Sequence, residues 1–156
     1  RRLSRGDTEA SVRFARDRFE KDAYLLVLPF KLKDPGAILQ YVGERADQGA
    51  DKTPKWDEIK MTFEPGVGPK PGMVYYVIVN KETSLIDRIE IVDEGKSADE
   101  RFGFSLAEWT EAGGLKFAAL RQNLGLASEK IRVRDLAVSD LPDDGLYVAD
   151  VNAAQE

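Results

Sequence analysis

No cysteine and no histidine occur among the 156 residues of this chain. Their absence removes cysteine and histidine nucleophiles, Ser–His–Asp triads, zinc sites built on either residue, and haem held by them. It leaves the compartment open, since disulfide-free chains occur in oxidising and reducing surroundings alike. Positive charge is also in short supply, with 23 Lys+Arg against 28 Asp+Glu and a net charge of −5. A nucleic-acid binder needs a basic surface to displace counterions from phosphates. The one basic cluster is Arg1, Arg2 and Arg5, so nucleic acid is not an expected partner. Long apolar runs are missing too: residues 24–28 and 73–79 are far shorter than a membrane span. No apolar stretch follows Arg1-Arg2-Leu3-Ser4, so no secretory leader is visible.

What remains is an ordinary globular balance, 42% hydrophobic and 33% charged, which suits a single domain over 1–156. Asp7 or Thr8 can cap a helix, and Glu9 lies in its first turn, where the dipole favours an acid. Val12, Ala15, Phe19, Ala23 and Leu26 recur at spacings of three and four, so a helix over 8–28 is expected to lay this stripe on something apolar. Arg13–Asp17, Arg16–Glu20 and Asp17–Lys21 are i,i+4 opposite-charge pairs on its other side. Pro29 disfavours helix in the residue before it, so the helix is expected to end near Leu28.

Asp34-Pro35-Gly36 is a turn signal, followed by a short strand over 37–42 and a polar loop over 43–55. Residues 56–63 alternate, with Ile59, Met61 and Phe63 on one face. Stretches 73–79 and 85–92, rich in Val, Ile and Tyr, are the clearest strands and are joined by a hairpin-length link over 80–84. Further β-like stretches lie at 101–110, 115–122 and 130–138. Strands in succession with short turns imply an antiparallel meander. Tyr75, Val77 and Val79 face one way and Val74, Tyr76 and Ile78 the other, so this strand is apolar on both sides. Such a strand is either sandwiched between layers or offers one face to a ligand.

Motifs for chemistry are weak. The loop over 65–72 holds three prolines and three glycines, but no glycine is followed by lysine and a hydroxyl residue, so a stiff turn is the better account than a phosphate cradle. An EF-hand loop starting at Asp140 would need ligands at Pro142 and Val151, so Asp140, Asp143 and Asp144 read as a turn ending at Gly145. A carboxylate pair such as Glu108 and Asp135 lacks any supporting motif, and no catalytic residue, metal site or cofactor is assigned. The aromatics Phe14, Phe30, Phe63, Tyr75, Phe104, Trp109 and Phe117 read first as core and second as a cavity lining.

The segment Arg18-Phe19-Glu20-Lys21-Asp22-Ala23-Tyr24-Leu25-Leu26-Val27-Leu28-Pro29-Phe30-Lys31-Leu32-Lys33-Asp34-Pro35-Gly36 resembles one found in uncharacterised bacterial envelope proteins similar to the lipoprotein-sorting carriers. The hairpin over 74–89, with Asn80-Lys81-Glu82-Thr83-Ser84 at its turn, and Gly113-Gly114-Leu115-Lys116-Phe117 also resemble that family. Ser84 stands where the family pattern has glycine, and Leu25 where it has tryptophan. The resemblance implies a half-barrel, that is, a curved open antiparallel sheet with the N-terminal helix packed on its concave face. It implies non-catalytic binding of a lipid or other apolar ligand there, in the periplasm or in a membrane-anchored envelope protein. Membrane association would come only through an upstream anchor outside this chain, which is expected to be truncated at its N-terminus. With the residue pattern, it nominates Phe14, Leu25, Phe30, Met61, Phe63, Tyr75, Val77, Phe104, Trp109 and Phe117 as a ligand-binding set. The alternative is an envelope protein-interaction or scaffold module that uses a sheet edge or apolar face.

Overall fold

The computed structural model describes residues 5–46, 53–68 and 72–138. One helix, α1 (Arg5–Lys31), precedes seven strands: β1 (Ala37–Ala46), β2 (Pro54–Phe63), β3 (Val74–Asn80), β4 (Ile86–Val92), β5 (Phe102–Ala112), β6 (Leu115–Asn123) and β7 (Lys130–Arg132). The strands pair in chain order, each antiparallel to the next. β1 and β7 remain at opposite edges, so the sheet is open and curved, and the chain is α+β and mostly β.

Alternation explains how the sheet acquires two different faces. On the concave side the register sets Leu39, Met61, Tyr75, Ile91 and Phe102 in one row across β1 to β5. Beside it run Tyr41, Ile59, Val77, Ile89 and Phe104. Leu25 and Leu28 of α1 join Met61, Tyr75, Val77, Ile89, Ile91 and Phe104 in one core cluster. Tyr76, Ile78 and Val92 form a second, smaller cluster on the convex side, supported by Trp56 and Val74. The strand apolar on both sides is therefore buried on both sides.

At the β3–β4 hairpin, the Asn80 side-chain oxygen accepts from the N–H groups of Glu82 at 2.9 Å and Thr83 at 3.1 Å, closing the turn locally. Ser84 is held at φ 58°, a left-handed conformation that suits glycine better. A bulge between Ile78 and Val79 leaves Asp87 without an opposite residue. Its carboxylate accepts from Trp56 Nε1 at 2.6 Å and Asn80 Nδ2 at 2.9 Å.

Four features differ from what the sequence suggests. The helix runs through Pro29 to Lys31. Pro29 has no N–H to give the Leu25 carbonyl, but Leu25 (2% exposed) and Leu28 (0%) are anchored in the core beside it. The stripe of Val12, Ala15, Phe19, Ala23 and Leu26 does not make the core contact: Ala23 and Leu26 are only half-buried where Leu25 and Leu28 are fully so, and Val12 and Phe19 are exposed. At ~100° per residue, Leu25, Leu28 and Leu32 lie on the opposite side, and they bring more apolar volume than a stripe containing two alanines. The expected loop over 43–55 is shorter, because residues 43–46 extend β1 and 54–55 open β2. Finally, β7 stops at Arg132 rather than running to 138. One further bond crosses, from Val133 N–H to the Ala119 carbonyl at 2.9 Å, before Asp135 turns left-handed at φ 54°.

Candidate functional site

The C-terminal half of α1 lies in the hollow of the sheet, while residues 8–21 are exposed along their whole length. Where the helix leaves the sheet, a cavity of about 600 Å³ opens beneath it. Phe14, Asp17, Arg18, Glu20, Lys21, Tyr24 and Leu25 form its roof. Met73, Tyr75, Ile91, Asp93 and Phe102, from the ends of β3, β4 and β5, form its floor and wall. Tyr75, Ile91 and Phe102 of the floor belong to the concave row described above, and Tyr75 and Ile91, like Leu25 of the roof, are almost fully buried. The charged side chains all lie at the exposed mouth. Apolar depth with a charged rim is the usual make-up of a small-molecule site.

Polar contacts hold the roof in place. Arg18 donates to Glu129 Oε1 at 2.7 Å and to Asp22 Oδ2 at 3.3 Å. Hydrogen bonds from Asn123 and then Arg18 keep the Glu129 carboxyl below its ordinary pKa. Arg121, buried on β6, donates to the Asp22 carboxylate and lies 5.0 Å from the Phe104 ring centroid. Lys21 places its ammonium 5.4 Å and 5.2 Å from the ring centroids of Phe102 and Phe104. Of the helix ion pairs expected from spacing, Arg16–Glu20 forms at 2.8 Å.

Two phenols sit at the inner wall. The Tyr24 and Tyr75 rings are 5.9 Å apart. Burial, reinforced by the Asp34 charge, pushes the Tyr24 hydroxyl up to about 12. Burial likewise raises Tyr75 well above the ordinary phenol range. Tyr24 Oη is enclosed without a hydrogen-bond partner among the described residues.

The ten residues nominated from sequence separate into two groups. Phe14, Leu25 and Tyr75 come together around the cavity. Met61 and Val77 are fully buried, and Phe104 lies beneath Lys21 and Arg121. Phe30 meets Phe117 edge-on at 5.2 Å. Phe63 packs on Tyr75 at 6.0 Å and also lines a smaller hollow of about 240 Å³. Trp109 is half-buried against the core, with Nε1 unpartnered among the described residues. Met73, Ile91, Phe102 and the rim charges were not nominated. A sequence signal existed for Ile91 and Phe102, which alternate with Ile89 and Phe104, and none for Met73 or the rim charges.

The convex face carries a larger groove of about 850 Å³. Four of its charged groups, Arg45, Glu58, Glu90 and Arg101, are matched to one another. Arg101 Nη1 donates to Glu58 at 2.8 Å and to Glu90 at 3.1 Å, while Arg45 Nη1 reaches Glu90 at 2.8 Å. The Arg101 guanidinium lies 3.5 Å from the centroid of the Tyr76 ring. These two arginines and two glutamates cancel in charge, and they tie β1, β2 and β4 to the residue just before β5. Glu108 is ion-paired with Arg132. Among the described residues, no group of three or more Asp or Glu is placed to hold a metal ion, and no helix is long and apolar enough to cross a membrane. The Asp140–Asp144 turn lies outside the described residues.

Comparison with known family models, characterised proteins and solved structures finds no significant match.

Proposed function

We propose that this protein binds a lipid or other apolar molecule, without covalent chemistry, in the cavity between α1 and the concave face of the sheet. The observation that carries this reading is the cavity itself, where the exposed Phe14 and the half-buried Met73 and Phe102 leave apolar surface open beside the buried Tyr75 and Ile91. Apolar surface left open beside a core gains free energy when a ligand excludes water from it, about 25 cal/mol per Å². The resemblance of residues 18–36 and 74–89 to envelope proteins of the lipoprotein-carrier kind supports the same reading. The envelope setting rests on that resemblance alone.

The test is titration of the delipidated protein with the apolar dye N-phenylnaphthylamine. Saturable fluorescence enhancement is expected. Met73→Trp, at a half-buried position just before β3, fills the cavity and should weaken binding at least about tenfold, or about 1.4 kcal/mol, with unchanged circular dichroism. Phe14→Glu, on the exposed roof, should weaken binding without touching the core. Dye uptake that never saturates, or that ignores both substitutions, contradicts the proposal.

A second reading is favoured by one observation. Edge strand β1 exposes Ile38, Leu39, Tyr41 and Val42, all between 46% and 60% accessible. An unpaired edge with apolar side chains can accept a strand from a partner protein. A defined oligomer or complex that dissociates on Val42→Lys, in protein that takes up no dye, would support it instead.

A further inference from the structure

The outer edge of β1 has a defined hydrogen-bonding phase. The Gly36 carbonyl accepts from the Glu64 N–H at 2.9 Å, so Gly36 turns its polar groups toward β2. Backbone direction alternates along a strand, which turns Leu39 and Tyr41 outward, away from β2. Among the described residues no strand lies beyond β1. The outward stretch is bounded at both ends. The Ala37 N–H already donates to the Asp34 carbonyl at 3.1 Å, and the register with β2 shifts between Tyr41 and Gly43.

The same stretch is uncharged. The two ionised residues of β1 lie past the shift and are matched within the chain, Glu44 to Lys81 and Arg45 to Glu90. Edges that avoid pairing usually carry charge or proline, whereas this one exposes Ile38, Leu39, Tyr41 and Val42.

The strand is complementary to itself. With Gln40 on a two-fold axis, antiparallel pairing sets Ile38 opposite Val42 on the convex face and Leu39 opposite Tyr41 on the concave face. Outward-facing Leu39 then meets outward-facing Tyr41, and their N–H and C=O groups can exchange hydrogen bonds on both sides of the axis. Apolar meets apolar, Gln40 meets its own amide, and no like charges face each other.

We infer that β1 pairs with β1 of a second copy of this chain, antiparallel over 38–42, and joins two sheets into one. The partner of the edge-strand reading is then the chain itself, whatever the hollow beneath α1 holds. So short a ladder falls well below the ~20–30 residues a side of a standard interface, so the dimer is weak and depends on concentration.

The full chain, which has no cysteine, allows a direct test by cross-linking. In Gln40→Cys the two thiols sit on the axis in a non-hydrogen-bonded pair, with Cα atoms ~4.5 Å apart, within disulfide reach. In Ile38→Cys they are offset along the ladder by roughly 13 Å, beyond it. Under mild oxidation Gln40→Cys should dimerise at least about tenfold faster than Ile38→Cys. Adding Val42→Lys, which sets a charge opposite Ile38 of the second copy, should remove that advantage. Sedimentation equilibrium of the wild type up to about 1 mM should show a monomer–dimer equilibrium that Val42→Lys shifts toward monomer. Equal cross-linking of the two cysteine variants, a wild type monomeric throughout, or a dimer indifferent to Val42→Lys overturns the inference. Capture of another protein on this edge without self-pairing also overturns it, and leaves the edge-strand reading standing.

Discussion

The two faces of the sheet bury apolar residues by different means. On the concave face a separate element does the covering: α1 presses Leu25 and Leu28 onto Met61, Val77 and Ile89. On the convex face the strands cover themselves. Arg101 lies across Tyr76, Arg88 lies 5.1 Å from the Trp56 ring centroid, and Ile78, 1% exposed, clusters with Tyr76 and Val92. Long charged side chains can shield apolar surface while keeping their heads in water. The polar groups differ as well. The convex carboxylates Glu58 and Glu90 are shared between two arginines, whereas the concave side leaves Tyr24 Oη and Trp109 Nε1 without partners among the described residues. One face is closed by its own ion pairs. The other ends in a cavity where its cover extends past the strands.

The largest expected effect probes the concave face. Leu28→Ala removes a fully buried side chain and should cost about 3 kcal/mol in urea unfolding, with no dependence on salt. On the convex face, Glu90→Ala leaves Arg45 and Arg101 with Glu58 alone. Those arginines are 34% and 26% exposed, so the loss should be smaller, about 1–2 kcal/mol. It should shrink as ionic strength rises. If both losses respond to salt in the same way, the contrast between the faces fails.

The smallest effect is a gain. Tyr24→Phe deletes an enclosed hydroxyl that has no partner among the described residues and should stabilise by about 1 kcal/mol. It should also change the alkaline limb. The fold raises the Tyr24 pKa from 10.0 to about 12, so the folded state holds its proton where the unfolded state has released it. That contribution is complete below pH 10 and is lost as pH rises from 10 through 12. Thermal melts across this range should fall less steeply for Tyr24→Phe than for the wild type, with Tyr75 supplying a remaining slope.

Much of the sheet was legible in the sequence because alternation is a local signal. Ile59, Met61 and Phe63 share a face as expected, and the opposed sets of Tyr75 and Tyr76 enter separate clusters. The orientation of α1 was not legible. The helix carries two apolar stripes, and the one with regular spacing does not make the core contact because the leucines opposite it bury more. The convex ion pairs were also hidden, since Arg45 meets Glu90 and Arg101 meets Glu58 at separations of 45 and 43 residues. The cavity was legible only in part for the same reason. Phe14 and Leu25 lie on one helix and stood out, but Met73, Ile91 and Phe102 become neighbours only through the register of three strands.

Backbone and methyl NMR shifts recorded during titration with a saturating apolar dye test the central claim most directly. The account predicts perturbations concentrated at Phe14, Lys21, Leu25, Met73, Ile91 and Phe102, with the convex residues Ile78 and Val92 unaffected. Perturbations centred on Leu39, Tyr41 and Val42 of the β1 edge, with the residues beneath α1 silent, would contradict it.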